Sequence, residues 1–449
     1  MSEQSVFQAG DFNYEECSLL SSSGVSYPDF ERQVVSIILF ENIFQNSMHG
    51  QLTVVDTNNL PMNMPLTGQD YLTLKIKTPN IQKPVVNHVF CITQLMSRSE
   101  LSTGAMSYTF KLISPEALRN NRVRVQSSYT DTPSEVIEKV FKDVIKSTKN
   151  ITIEKTNGIR KYVSPYSRPF DFIKDITRES ISSKSQSPNY LFYENTKGFF
   201  FVTTDYLYNQ GMVAEFEPSD MGLLEEHGKR DVDRDYRNML SYVISDSTNT
   251  VAAARGGMLG GRLVVYNIFN KNYEVHTHDY FRDFDNFSRI SKKPIYNETH
   301  IDDEGKKLGN FPNSNINLHP TSKSDGLDAR YSESYNDNQS EKWLLPLRSK
   351  LMELNMGQNI GLSVHGRADL AVGDKIQITL PITGKSHGKD DLEKFYEGEF
   401  LVTHLKHIFD GNPKTHMIEM SVAQDSTPQS YEVVADAKEP KIEGTINKV

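Results

Sequence analysis

In YLTLKIK, residues 71–77, the apolar side chains of Leu72, Leu74 and Ile76 alternate with Thr73, Lys75 and Lys77. A period of two puts the three on one face of a strand and leaves the other to water, the pattern of a half-buried antiparallel sheet. The same reading covers VVSIILF (34–40), QLTVVD (51–56), VFCITQL (89–95) and SYTFKLI (107–113). Far downstream it returns in IGLSV (360–364), KIQITL (375–380), GEFLVTHLKHIF (398–409) and THMIEMSVAQD (415–425). Two such blocks of strands predict a mainly β chain.

The blocks share a pattern. Gly68 and Asp70 launch an alternating strand that Pro79 stops, and Gly373 and Asp374 launch another that Pro381 stops. Upstream, residues 30–37 rhyme with 236–243, and the strand opening at Gly50 rhymes with the one opening at Gly261. The spacing therefore predicts one β-module used twice, with Gly68, Asp70, Gly373 and Asp374 as its structural turns.

Between the blocks the signals are helical. Ser114, Pro115 and Glu116 make a helix start, and Thr132 with Glu135 has the spacing of a capping box. That second helix is predicted over Pro133 to Lys146, with Val136, Ile137, Val140, Phe141 and Val144 inward. A third begins near Pro169, with Phe170, Ile173 and Ile176 on one stripe. It leads into NYLFYENTKGFFFVTTD, residues 189–205, a hairpin apolar on both faces. Such a strand pair is normally covered on both sides, so Phe192, Phe199 and Phe201 are read as core and not as a membrane dagger.

The expected fold is α+β, mainly β: two related antiparallel β-barrel, tube-like domains with an intervening helix-and-hairpin region. The first barrel takes residues 1–114; the α+β region takes 115–205 and 268–340, with a long polar loop over 291–341. The second, discontinuous barrel takes 206–267 and 341–426, and 427–449 is an extended tail.

Among 449 residues, 49 Lys and Arg against 58 Asp and Glu leave a formal net charge of −9, which argues against a chain dedicated to gripping nucleic acid. Only Cys17 and Cys91 are present, too few for a disulfide framework or a cysteine zinc site. The N-terminus has neither a basic nor an apolar leader region, and VVSIILF is too short to span a bilayer, so synthesis in a cytoplasm without membrane insertion is expected.

Chemical motifs fail one by one. Residues 231–235, DVDRD, open like a calcium loop, but Tyr236 and Tyr242 stand where Gly and Glu are needed. His276 and His278 could hold a metal with Asp279 as third ligand, but no other His lies nearby and they read as a solvated strand face, while His404 and His407 fall on opposite faces of one strand. GGMLGG at 256–261 is not a phosphate loop, GLSVHG at 361–366 is not a nucleophile elbow, and Arg119, Arg122 and Arg124 read as a solvated face. No catalytic, cofactor-binding or metal-ligating residue is assigned, and no enzyme is expected.

Taken in order, SYTFKLISPEALRNNRVRVQSSYTDTPSEVIEKVFKDV, SRPFDFIKDITRES leading into NYLFYENTKGFFFVTTDYL, and LSVHGRADLAVGDKIQITLP with GEFLVTHLKHIF and THMIEMSVAQDS resemble the baseplate central hub protein of contractile-tailed bacteriophages. That family shares its fold with the N-terminal part of type VI secretion spike proteins. The resemblance covers most of residues 30–426. It implies a homotrimer in the virion baseplate whose six barrels continue a sixfold tail tube and grip a threefold central spike. The implied partners are the chain itself, the spike protein, a tail tube or tube-initiator protein and baseplate wedge proteins. DNA is only passing cargo, and no cofactor is implied. A phage-borne cell-wall or polysaccharide hydrolase and a receptor-binding spike module remain as alternatives.

Overall fold

The computed structural model describes residues 8–57, 68–79, 85–102, 104–218, 232–245, 248–268, 271–297, 305–321, 340–380 and 396–428. Alternation builds its first sheet from β1 (Asn13–Leu20), β2 (Ser26–Tyr27), β3 (Val34–Asn42), β4 (His49–Asp56), β5 (Asp70–Lys77), β6 (Val86–Ser102) and β7 (Ala105–Ile113). The order is β3-β4-β7-β6-β5-β1-β2 and every ladder is antiparallel. Leu72, Leu74 and Ile76 are fully buried and share a core with Leu52, Val54, Phe90, Phe110 and Leu112.

Next come helices at Pro115–Arg122, Pro133–Lys139 and Pro169–Glu179, with β8 (Ser128–Asp131), β9 (Ile151–Ile153), β10 (Arg160–Val163), β11 (Tyr190–Asn195) and β12 (Gly198–Thr203). Both halves of the capping box at Thr132 and Glu135 are formed, which sets the start of its helix. The helix widens to a π turn over Val140–Val144.

The hairpin of β11 and β12 is registered Phe192 to Phe201 and Tyr193 to Phe200, with β9 alongside β12 in parallel. Each of its faces serves a different core. Tyr190, Phe192, Phe199 and Phe201 pack with Phe141, Phe170 and Ile173 of the helices, Phe199 lying 4.8 Å from Phe141 between ring centroids. Leu191, Tyr193 and Val202 instead join the core of the downstream strands.

Those strands are β13 (Met212–Pro218), β14 (Asn238–Ser245), then β15 (Gly260–Asn267), β16 (Tyr273–Asp279) and β17 (Ile316–Thr321) of a separate sheet, and β18 (Gln358–His365), β19 (Lys375–Ile378), β20 (Gly398–Gly411) and β21 (Lys414–Gln424). β13, β14, β18, β21, β20 and β19 pair in that order, and β19 returns to β13, closing a six-stranded barrel. The barrel is mixed, because β13 runs parallel to both β14 and β19. This corrects the purely antiparallel expectation: the chain enters β13 from the short helix Thr204–Tyr208 after the hairpin, not from a tight turn, so nothing forces it to run against its neighbours.

The order β3-β4-β7-β6-β5-β1 recurs, strand for strand in chain order, as β14-β18-β21-β20-β19-β13. β5 after Gly68 and β19 after Gly373 hold the same place. Two differences stand out: β1 is antiparallel to β5 where β13 is parallel to β19, and among the described residues no ladder joins β1 to β3 as β13 joins β14.

The rhyme of Gly50 with Gly261 does not survive. The place of β4 is taken by β18, while β15 lies outside the barrel between β16 and β17. The two glycines serve different needs. A Cβ at Gly50 would lie 2.5 Å from the Ile38 carbonyl oxygen of the paired strand, whereas at Gly261 the nearest atom is 3.3 Å away, in the Leu345 side chain. Residues outside the barrel therefore begin before 268. Within the stretch read as a polar loop, β17 pairs in parallel with β15. Residues 298–304, 322–339 and 429–449, which include much of that loop and most of the expected tail, lie outside the described residues.

Removal of a buried Phe side chain costs about 3–5 kcal/mol. Phe201→Ala is expected to lower the free energy of unfolding by that order in urea titrations; an unchanged midpoint would contradict the packing described.

Candidate functional site

The turn of the hairpin sits in a network of buried polar contacts. Its residues, Asn195 to Gly198, emerge from between two cores and meet both blocks of strands. Gly198 has φ 133°, and a Cβ there would sit 2.7 Å from the Asn150 carbonyl oxygen. Only glycine closes the turn at that approach.

Toward the first sheet, the Thr196 amide donates to Glu41 Oε1 of β3 at 2.8 Å, and His88 Nε2 of β6 lies 2.9 Å from the Thr196 carbonyl oxygen. Glu194 accepts from the Met48 amide at 2.9 Å and the Ser114 hydroxyl at 3.0 Å, and pairs with Lys149. Lys149 also pairs with Glu116 at 2.9 Å. Toward the barrel, the Asn195 side chain donates to the Val372 carbonyl at 3.0 Å, and Lys197 Nζ reaches both oxygens of Asp374 at 2.8 and 2.6 Å. The Val372 amide donates to the other oxygen of Glu41 at 2.9 Å, closing the circuit between the blocks.

Electrostatics follow burial. Burial disfavours the charged form of Glu41, yet the neighbouring His407 imidazole and hydrogen bonds from the Val372 and Thr196 amides hold its carboxyl below the usual range. For Glu194 burial prevails over Lys149, and its carboxyl is pushed up. Burial opposes ionisation of Glu116 too, but Lys149 and the Ser114 hydroxyl bring it down to about 2. Asp374 is raised by burial, only partly offset by Lys197.

The turn residues read from sequence go to two places. At one, Gly68 has φ 77°, and fully buried Asp70 accepts from its amide at 3.2 Å and from the Ser22 amide at 3.1 Å. At the other, Gly373 has φ 86° and a Cβ would fall 2.2 Å from the Tyr193 hydroxyl, so Gly373 and Asp374 abut the hairpin. Asp374 also accepts from the Ala371 amide at 2.8 Å. Phe192, Phe199 and Phe201 line the helix-side core of the same hairpin.

The sequence reading did not single out Glu41, Lys149 or the His407–His416 pair. Glu41 had a signal: it continues the inward face of Ile37 and Leu39, so a carboxylate stands at a core position. His404 is exposed, whereas His407 points inward, 3.0 Å from His416 and 3.6 Å from Glu41. A second buried cluster ties the helix Ser340–Met356 to the end of β21: Arg289 pairs with Glu353, and Lys350 lies 3.0 Å from Asp425.

Among the described residues no three His, Cys, Asp or Glu side chains are grouped to hold a metal ion. His276 faces Glu274 and His278 faces Asp283, so the H-x-H pair does not converge. The arrangement is a joint.

No family model matches the chain, and no curated protein matches it in sequence. Solved structures do. A tail protein from Neisseria meningitidis MC58 superposes with a TM-score of 0.51 at 9% identity, covering 92% of this chain and 97% of its own. The 43 kDa tail protein of prophage MuSo2 from Shewanella oneidensis gives 0.50 at 9% identity, over 92% and 100%. This chain has the tail-protein fold. A component of the E. coli type VI secretion system is also matched, with a TM-score of 0.41 at 10% identity over 89% of this chain and 76% of that one.

Glu116 gives the joint a pH signature. Its carboxyl sits at about 2 against an ordinary 4.5. A depressed carboxylate contributes stability that is complete above the ordinary value and lost as pH falls toward the folded one. Glu116→Gln should therefore be less stable than wild type at pH 7, with the gap closing between about pH 4.5 and 2. Urea titrations across that range measure it; a gap independent of pH would assign Glu116 no charge-dependent role.

Proposed function

We propose that the chain is the structural hub of a contractile phage tail baseplate, a homotrimeric symmetry adapter between a sixfold tail tube and a threefold central spike. The observation that carries the reading is the recurrence of one strand order within a chain of tail-protein fold. Three chains with two similar modules each offer six similar surfaces to one neighbour and true threefold symmetry to the other. In this reading the first sheet and the closed barrel are the paired tube domains, and the hairpin turn fixes one against the other.

The partners on this reading are a tube or tube-initiator protein on one side, the spike on the other and wedge proteins around the rim. A net charge of −9 suits a channel through which DNA passes without being held. The role is mechanical, and Gly68, Asp70, Gly373 and Asp374 act in it as the turns that give both modules their shape.

Native mass measurement with electron microscopy of the purified chain tests this. Particles of three chains, with six similar lobes around an open centre, are expected. A stable monomer, or six chains each giving one lobe, would end the adapter reading.

A further inference from the structure

The sheet outside the barrel carries an apolar patch on each of its faces, and among the described residues only the inner one is covered. Inward, Leu263 and Val265 of β15 pack on Leu345 of the Ser340–Met356 helix. Outward, the ladders set Tyr266 beside Tyr273 and place Val264 between Val275 and Leu318, with Ile316 next to Arg262. Leu318 is 72% exposed, Tyr273 69% and Ile316 59%. In-register aromatic and branched side chains across three strands make the kind of face that a sheet buried on both sides carries.

A second apolar strand stands open on the barrel. β14 pairs with β18 along its length, but among the described residues its other edge pairs with β13 only through Asn238 and Met239. Beyond them Leu240, Tyr242, Val243 and Ile244 are all exposed, Val243 by 65%.

We infer that these two surfaces are the halves of one contact between copies of the chain: the outer face of the β15–β17 sheet in one copy seats on β14 of the next. The inference rests on the homotrimer reading above and names its interface. A closed ring of three requires two unlike, mutually fitting surfaces on every chain, and these two are unlike and, among the described residues, both open. Charge points the same way. Copies that each carry −9 repel, so they meet best where acids are absent. The sheet face has Arg262 as its one charged side chain, and Leu240 to Ile244 has none. The area also suits a copy. The five most exposed apolar side chains of the sheet face offer on the order of 500 Å², at the upper end of what a monomer normally leaves open. Tyr242 and Ile244 lie on one face of β14 and Val243 on the other, so the contact takes the free edge of the strand; with both sides of that edge the apolar part reaches on the order of 900 Å², most of the roughly 1,200 Å² at which specific interfaces begin, the polar rim supplying the rest.

Mass photometry of the full chain, of Leu318→Asp, of Val243→Asp and of their equimolar mixture tests the inference. The wild type should be trimeric. Each variant should keep the wild-type circular-dichroism spectrum, since both sites are exposed on the single chain, and should be monomeric. The mixture should give dimers, because a chain with an intact sheet face meets a chain with an intact β14 once only. Should Leu318→Asp lose that spectrum, Tyr273→Ser replaces it with the same expectation. Trimeric variants beside a trimeric wild type overturn this inference and leave the adapter reading standing. A mixture that stays monomeric overturns the pairing of the two surfaces. A monomeric wild type overturns the adapter reading and the inference together.

Discussion

Glu41 is fully buried, and its carboxylate takes amides from two segments that no strand ladder connects: Thr196 at the hairpin turn and Val372 ahead of β19. A buried charge is costly unless its lone pairs are filled, so the group that satisfies Glu41 must stay in place. That requirement fixes the hairpin against the first sheet and the barrel at once. Lys197 on Asp374 and Lys149 between Glu194 and Glu116 extend the same constraint outward. Hydrophobic burial on the two faces of the hairpin holds it in depth, but burial is non-directional and would tolerate sliding. Hydrogen bonds to a buried carboxylate do not.

Such a joint asks for a sequence that breaks its own pattern at chosen points. Most of the strands could be read because alternation is local and repeated, as in Leu72, Leu74 and Ile76. The capped helices could be read because Thr132 and Glu135 act on amides within reach. The hairpin was legible as a doubly buried pair from its own residues. What could not be read were consequences of distant contacts. β15 resembles a barrel strand over five residues, and only the helix Ser340–Met356, which packs Leu345 on it, reveals a separate core. That helix itself was not anticipated, since Pro346 interrupts its interior and Lys350 and Glu353 lie on its buried face, paired with Asp425 and Arg289. The reversed direction of β13 depends on how the chain leaves the hairpin, which no periodicity records. Of the joint, Glu41 left a signal that the sequence reading passed over, an acid on the inward face of β3, and its partners lie up to 331 residues away.

β20 explains why the two blocks behave as one body. Its first half pairs with β19 inside the barrel, from Gly398 to Leu401. Its second half pairs with β3 of the first sheet, from His404 to Asp410. The exchange occurs at a bulge between Val402 and His404, which gives the strand the extra twist needed to leave one curved surface and join the other. At that point the Val402 amide donates to the Asp374 carbonyl, the Gly373 amide to the Val402 carbonyl, and the Ile43 amide to the Thr403 carbonyl. The backbone at the crossover is thus satisfied from both blocks. A shift of one block against the other would have to break a shared ladder and strip hydrogen bonds from a buried segment, each amide left unpaired costing about 1–3 kcal/mol. Hinge motion between the blocks is therefore disfavoured at its root, and whatever load reaches one block is carried to the other through a continuous strand.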